Sequence, residues 1–118
     1  MIKFLVENLN KKIFELEYPQ VLFPECKFSI YVDNICWFCE PNFPIYEFFK
    51  FLKEWENNNL QTDMHYISME TSENPLISFE KIQCEWKISS QWQNFQCDRL
   101  ITGDELKLSF QDLKKQLS

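Results

Sequence analysis

Residues 44–58, PIYEFFKFLKEWENN, constrain the fold of this chain more than any other stretch. At 100° per residue, Ile45, Phe48, Phe49, Phe51, Leu52 and Trp55 fall on one broad arc, with Glu47, Lys50, Lys53 and Glu54 opposite. Pro44 suits the first helical position, where its missing N–H costs nothing. Asn57, Asn58 and Asn59 follow, and asparagine is the best non-glycine residue for a left-handed C-terminal cap. Six large apolar side chains on about four turns make a helix that must be covered. The remainder of the chain reads mostly as strands able to cover it.

The chain has 118 residues, enough for one domain spanning 1–118 with a single core. Apolar residues make up 45 % and aromatics 17 %, which excludes a disordered chain and predicts a core led by Phe and Trp. The opening MIKFLVENLNKK does not read as a signal peptide, because Lys3 and Glu7 break its apolar run. No stretch approaches the roughly 18 apolar residues that span a membrane, so a cytosolic protein is expected. The five cysteines, Cys26, Cys36, Cys39, Cys84 and Cys97, lie in strand-like apolar patterns and are expected as buried free thiols. The single glycine, Gly103, excludes Walker loops, dinucleotide fingerprints and nucleophile elbows, each of which needs several glycines.

Alternating patterns predict strands over 2–9, 13–18, 27–32, 35–40, 64–70, 76–82 and 85–92, with 95–100 extending the sheet. Asp33–Asn34 fits a two-residue hairpin turn. Thr102-Gly103-Asp104-Glu105 fits a capping box, with Ile101 and Leu106 at the staple positions. Leu106, Phe110, Leu113 and Leu117 then recur at helical spacing, and Lys114 and Lys115 suit the last turn. Short links between strands imply antiparallel pairing. The fold class expected is therefore α+β: an antiparallel, meander-like sheet packed on a central aromatic-rich helix, with a capped C-terminal helix.

Cys36-Trp-Phe-Cys39 is a C-x-x-C motif, but it falls on a strand arm rather than at a helix N-terminus. On an ideal strand its two thiols point to opposite faces. A zinc site would need two further ligands, and no second C-x-x-C or paired histidine exists. Structural cysteines are the expectation, with neither metal nor cofactor. His65, the only histidine, shares a strand face with Ile67 and Met69 and is expected packed or at a core margin. A pairing of His65 with a thiol stays open, because such partners are spatial neighbours.

Between Glu54 and Glu85 lie seven acids and one base, a segment carrying the whole net charge of −6. The rest balances eleven acids against eleven bases. This segment reads either as a solvated surface or as an acidic face that steers a basic partner. Nothing forms a basic stripe, so nucleic-acid binding is not expected. Trp86, Trp92 and Phe95 read as core, or as binding anchors wherever one is exposed beside the acids.

WKISSQWQNF (86–95) ahead of a capped helix, behind an aromatic helix ending in KEWENN (53–58), resembles small bacterial proteins related to immunity proteins. Those proteins neutralise polymorphic or contact-delivered toxins. The resemblance implies a cytosolic, non-enzymatic domain that blocks one cognate toxin, in many cases a nuclease with a basic cleft. On this reading Asp63, Glu70, Glu73, Glu80 and Glu85 contact Arg or Lys of the partner, and Trp92 supplies an apolar anchor. The alternatives are a small-molecule binder or minor enzyme with a pocket near His65, and a homodimer joined along an edge strand.

Overall fold

A computed structural model describes residues 1–9, 25–68 and 71–117. The predicted strand over 13–18 lies outside the described residues. The α+β class holds, and the strands divide into two antiparallel meanders. The first sheet runs β1 (Ile2–Glu7), β2 (Cys26–Val32) and β3 (Ile35–Phe43) in that spatial order. The second runs β4 (Met64–Tyr66), β5 (Ile77–Ile82), β6 (Glu85–Ser90) and β7 (Ile101–Thr102). Helix α1 (Ile45–Asn57) joins the sheets, and α2 (Gly103–Leu117) closes the chain.

Helix α1 sits between the sheets, as its broad apolar arc requires. Ile45, Phe48, Phe49, Leu52 and Trp55 are buried, and half-buried Phe51 packs edge-on against Tyr66 at 5.3 Å. Phe48 meets Phe28 of the first sheet at 5.4 Å and Tyr66 of the second at 5.1 Å. Trp55 meets Phe79 and Trp86 of the second sheet at 5.5 and 5.0 Å. Pro44 stands one position earlier than predicted, as the N-cap, with its carbonyl accepting from Glu47 and Phe48. The C-terminal prediction holds: Asn59 adopts φ 57°, and the Leu60 N–H returns to the Trp55 carbonyl, closing the helix. Glu47, expected in solvent, is half-buried and accepts the hydroxyl of fully buried Tyr66 at 2.6 Å.

The capping box forms as read: the Glu105 N–H donates to Thr102 Oγ1 at 3.1 Å, and the Thr102 N–H donates to Glu105 Oε1 at 3.1 Å. Residues 95–100 do not extend the sheet as a strand. Instead the two-residue β7 pairs Ile101 with Trp86 and Thr102 with Glu85, which seats the capping box on the sheet edge. The Asp33–Asn34 turn has φ of 50° and 70°, the pair of positive values that a type I′ hairpin needs.

Strand β3 departs from ideality. Phe38 faces Ile30 while Cys36 faces Tyr31, so Trp37 is an extra residue in the ladder, a β-bulge. A second irregularity lies between the Phe28–Glu40 and Cys26–Phe43 pairs. It contains Pro41, which an edge strand tolerates. The cysteines do not all behave as buried hydrophobes. Cys26 and Cys97 are buried, with burial pushing the Cys26 thiol up to about 12, but Cys36 is half-buried and Cys39 and Cys84 are exposed. Cys39 and Cys84 escape burial because one lies on the outward face of an edge strand and the other in the β5–β6 turn.

Candidate functional site

The outer face of the second sheet gathers three of the six predicted contact residues, Asp63, Glu80 and Glu85. Register pairs His65 with Ser78 and Ser78 with Ser89, while Glu80 faces Lys87 and Ile82 faces Glu85. The alternate residues Met64, Tyr66, Ile77, Phe79, Trp86 and Ile88 turn inward and are buried. His65, Ser78, Glu80, Ile82, Glu85, Lys87 and Ser89 therefore share the opposite face. Asp63, one step before β4, accepts the Lys81 N–H at 2.8 Å and approaches His65 Nε2 to 4.0 Å.

His65 is exposed rather than packed, because its strand neighbours Met64 and Tyr66 take the inward positions. Its Nδ1 lies 3.0 Å from Ser78 Oγ. Together with Pro75, Glu80, Ser89, Ser90 and Gln91, these two residues line an open groove of about 360 Å³. Aspartate, histidine and serine thus stand in sequence across β4 and β5, an order familiar from hydrolases. The surroundings do not complete that chemistry. Ser78 lies mid-strand between β4 and β6, so the backbone around it serves the ladder and offers no pair of N–H groups to a developing oxyanion.

Of the predicted contact residues, Asp63, Glu80 and Glu85 come together on this face. Glu70 lies outside the described residues. Glu73 and Trp92 sit elsewhere, at the end of the sheet, where the Trp92 indole N–H donates to the Glu73 carboxylate. Trp92 is half-buried and packs on the core margin beside Phe43, Pro44, Leu76 and Ser68. Asn74 shapes this corner by bonding both the N–H and the carbonyl of Ser68, at 2.9 and 3.0 Å. Ser78 and Lys87 went unrecognised in the sequence, because only strand pairing brings them beside His65 and Glu80.

A second charged cluster ties elements together. Arg99 bonds Asp33 in the β2–β3 turn at 2.9 Å and Glu105 in the capping box at 3.0 Å. The Arg99 guanidinium holds the Glu105 carboxyl down to about 2, and the two carboxylates raise Arg99 in turn. All members of this cluster are engaged with one another, which marks it as structural. Among the described residues no three His, Cys, Asp or Glu side chains converge as a metal site, and no helix is long and apolar enough to cross a membrane.

The fold defines the chain as a small α+β domain in which polar residues line one face of the second antiparallel sheet. Residues 5–118 match the family described as Domain of unknown function (DUF7878), and the chain belongs to that family. No curated protein and no solved structure matches it.

Proposed function

We propose that this protein is a non-enzymatic, cytosolic binding domain of the immunity type. Its outer second-sheet face would engage a basic toxin domain, with a nuclease as the first class to examine. The observation that supports the reading is the placing of Asp63, Glu80 and Glu85 on one sheet face, with exposed Ile82 beside them. An arginine or lysine of the partner would make charge-assisted hydrogen bonds there. It would compete with Lys87, the cross-strand neighbour of Glu80, so the effective charge is less than the count of acids suggests. Interfaces of this kind owe their association rate to charge and their lifetime to a small apolar centre, the role open to Ile82.

The test is a pull-down from the source cell at low and high salt, including toxins encoded beside the gene, followed by calorimetry on any stoichiometric partner. Glu80→Lys with Glu85→Lys is expected to weaken binding by about tenfold or more at low salt and to flatten its salt dependence. Unchanged affinity and salt slope in this variant would remove the acidic face from the interface.

The groove at His65 favours a second reading, a small polar ligand held by His65, Ser78 and Ser89. Ligand screening by His65 ring NMR shifts separates the two readings. A saturable shift abolished in Ser78→Ala supports the ligand site, and no shift with a bound basic protein supports the interface.

A further inference from the structure

The bulge at Trp37 changes what the C-x-x-C motif can do. Residues three apart on a regular strand face opposite ways, but Cys39 pairs with Ser29 and Cys36 pairs with Tyr31. Ser29, itself buried, and Tyr31 are two apart on β2 and share the face opposite to Phe28, Ile30 and Val32. One inserted residue therefore puts both thiols on the same side of the first sheet. The two cysteines thus stand opposite neighbouring same-side residues of β2.

Hydrogen-bond donors reach both sulfurs. Ser29 Oγ donates to Cys39 Sγ at 3.5 Å, and Asn94 Nδ2 lies 3.8 Å from Cys36 Sγ while also bonding the Cys36 carbonyl at 3.1 Å. These contacts come from β2 and from the loop after β6, and the bulge carbonyl of Trp37 is itself held by the Asn94 N–H at 2.8 Å. Donors to the sulfurs of a metal–thiolate group are the usual outer support of such sites.

We propose that Cys36 and Cys39 form a dithiolate site for a single soft, thiophilic cation of the Cu(I) class. The donor set selects the ion. Structural zinc asks for four ligands, and calcium and magnesium ask for oxygen, whereas two thiolates satisfy a soft monovalent d¹⁰ cation. Metal–thiolate bonds of about 2.3 Å let the sulfurs stay up to about 4.6 Å apart. Binding releases both thiol protons, leaves the bound unit with one negative charge, and breaks the contact of the Cys36 thiol with the Phe38 carbonyl, now 3.5 Å.

The experiment is an anaerobic titration of the reduced protein with Cu(I) against a chromogenic Cu(I) chelator, with X-ray absorption of the loaded protein. One ion per chain with two sulfur neighbours is expected. Cys39→Ser, an exposed substitution checked by thermal melting, should weaken binding by about 100-fold or more, as should Cys36→Ala. Cys84→Ser should leave it unchanged. The proposal is overturned by equal affinity in wild type and Cys39→Ser, by loss of binding in Cys84→Ser, or by formation of a Cys36–Cys39 disulfide in place of the bound ion.

Discussion

Trp37 is fully buried, yet its indole N–H finds no acceptor among the described residues. Trp55, also buried, donates its indole N–H to the Thr62 carbonyl at 2.8 Å. Replacing each with Phe removes similar volume but opposite hydrogen-bonding consequences. Trp37→Phe deletes an unsatisfied donor whose burial costs about 1–3 kcal/mol, which offsets the cavity it opens. Trp55→Phe opens a cavity and strands a carbonyl. Urea denaturation should therefore place Trp37→Phe within about 1 kcal/mol of wild type and Trp55→Phe well below both. Equal losses would show that packing alone governs the two sites. Glu105 offers a pH test at the same scale. Its folded pKa of about 2 lies below the ordinary carboxylate value of 4.5, mainly through its hydrogen bond to Arg99. The stabilisation is thus present above about pH 4.5 and is lost as pH falls towards 2. Because Arg99 is more than a third exposed, screening limits the effect to the order of 1 kcal/mol. Glu105→Gln keeps a side chain competent for the capping box, so it should lose stability against wild type at pH 7 and little at pH 2.5. A constant gap across that range would assign the loss to the cap instead.

At the scale of elements, α2 lies along β1, the edge of the first sheet among the described residues. Gln116 accepts from the Val6 N–H at 2.8 Å and donates to the Phe4 carbonyl at 2.7 Å, as a strand would along β1, which is an edge strand among the described residues. Ser109 Oγ continues the cover by donating to the Ile2 carbonyl at 2.7 Å. An uncovered edge of this kind invites pairing with another chain. Gln116→Ala is expected to cost about 1–3 kcal/mol in denaturant unfolding and to increase self-association in sedimentation. A variant as monomeric as wild type would remove edge protection as the role of Gln116. The amphipathic pattern of α2 located its buried stripe, but Gln116 is polar and half-buried, and no periodicity marks a side chain that substitutes for a strand.

For the molecule as a whole, α1 makes two sheets into one cooperative body. The Phe48 ring lies 6.3, 5.4 and 5.6 Å from Phe4, Phe28 and Phe43 of the first sheet and 5.1 Å from Tyr66 of the second. Lys114 of α2 meets Glu56 of α1 at 2.7 Å, joining the two helices over the same core. Phe48→Ala should cost about 3–5 kcal/mol, and far-UV dichroism and tryptophan fluorescence should still report one coincident transition. Separate transitions would mean that each sheet keeps its own stability.

The local elements were written plainly in the chain: the aromatic arc of α1, the Asp33–Asn34 turn and the Thr102–Glu105 capping box each depend on residues within a turn of one another. Such signals survive in a linear reading because their partners are covalently near. Tertiary structure decided the rest. It split the strands into two sheets, turned His65 outward beside Ser78, parted Trp92 and Glu73 from Glu80 and Glu85, and set Cys36 and Cys39 on one face. Each of these outcomes depends on strand register, and register is set by pairing between distant segments. One extra residue at Trp37 reverses the side on which every later side chain of β3 would otherwise lie.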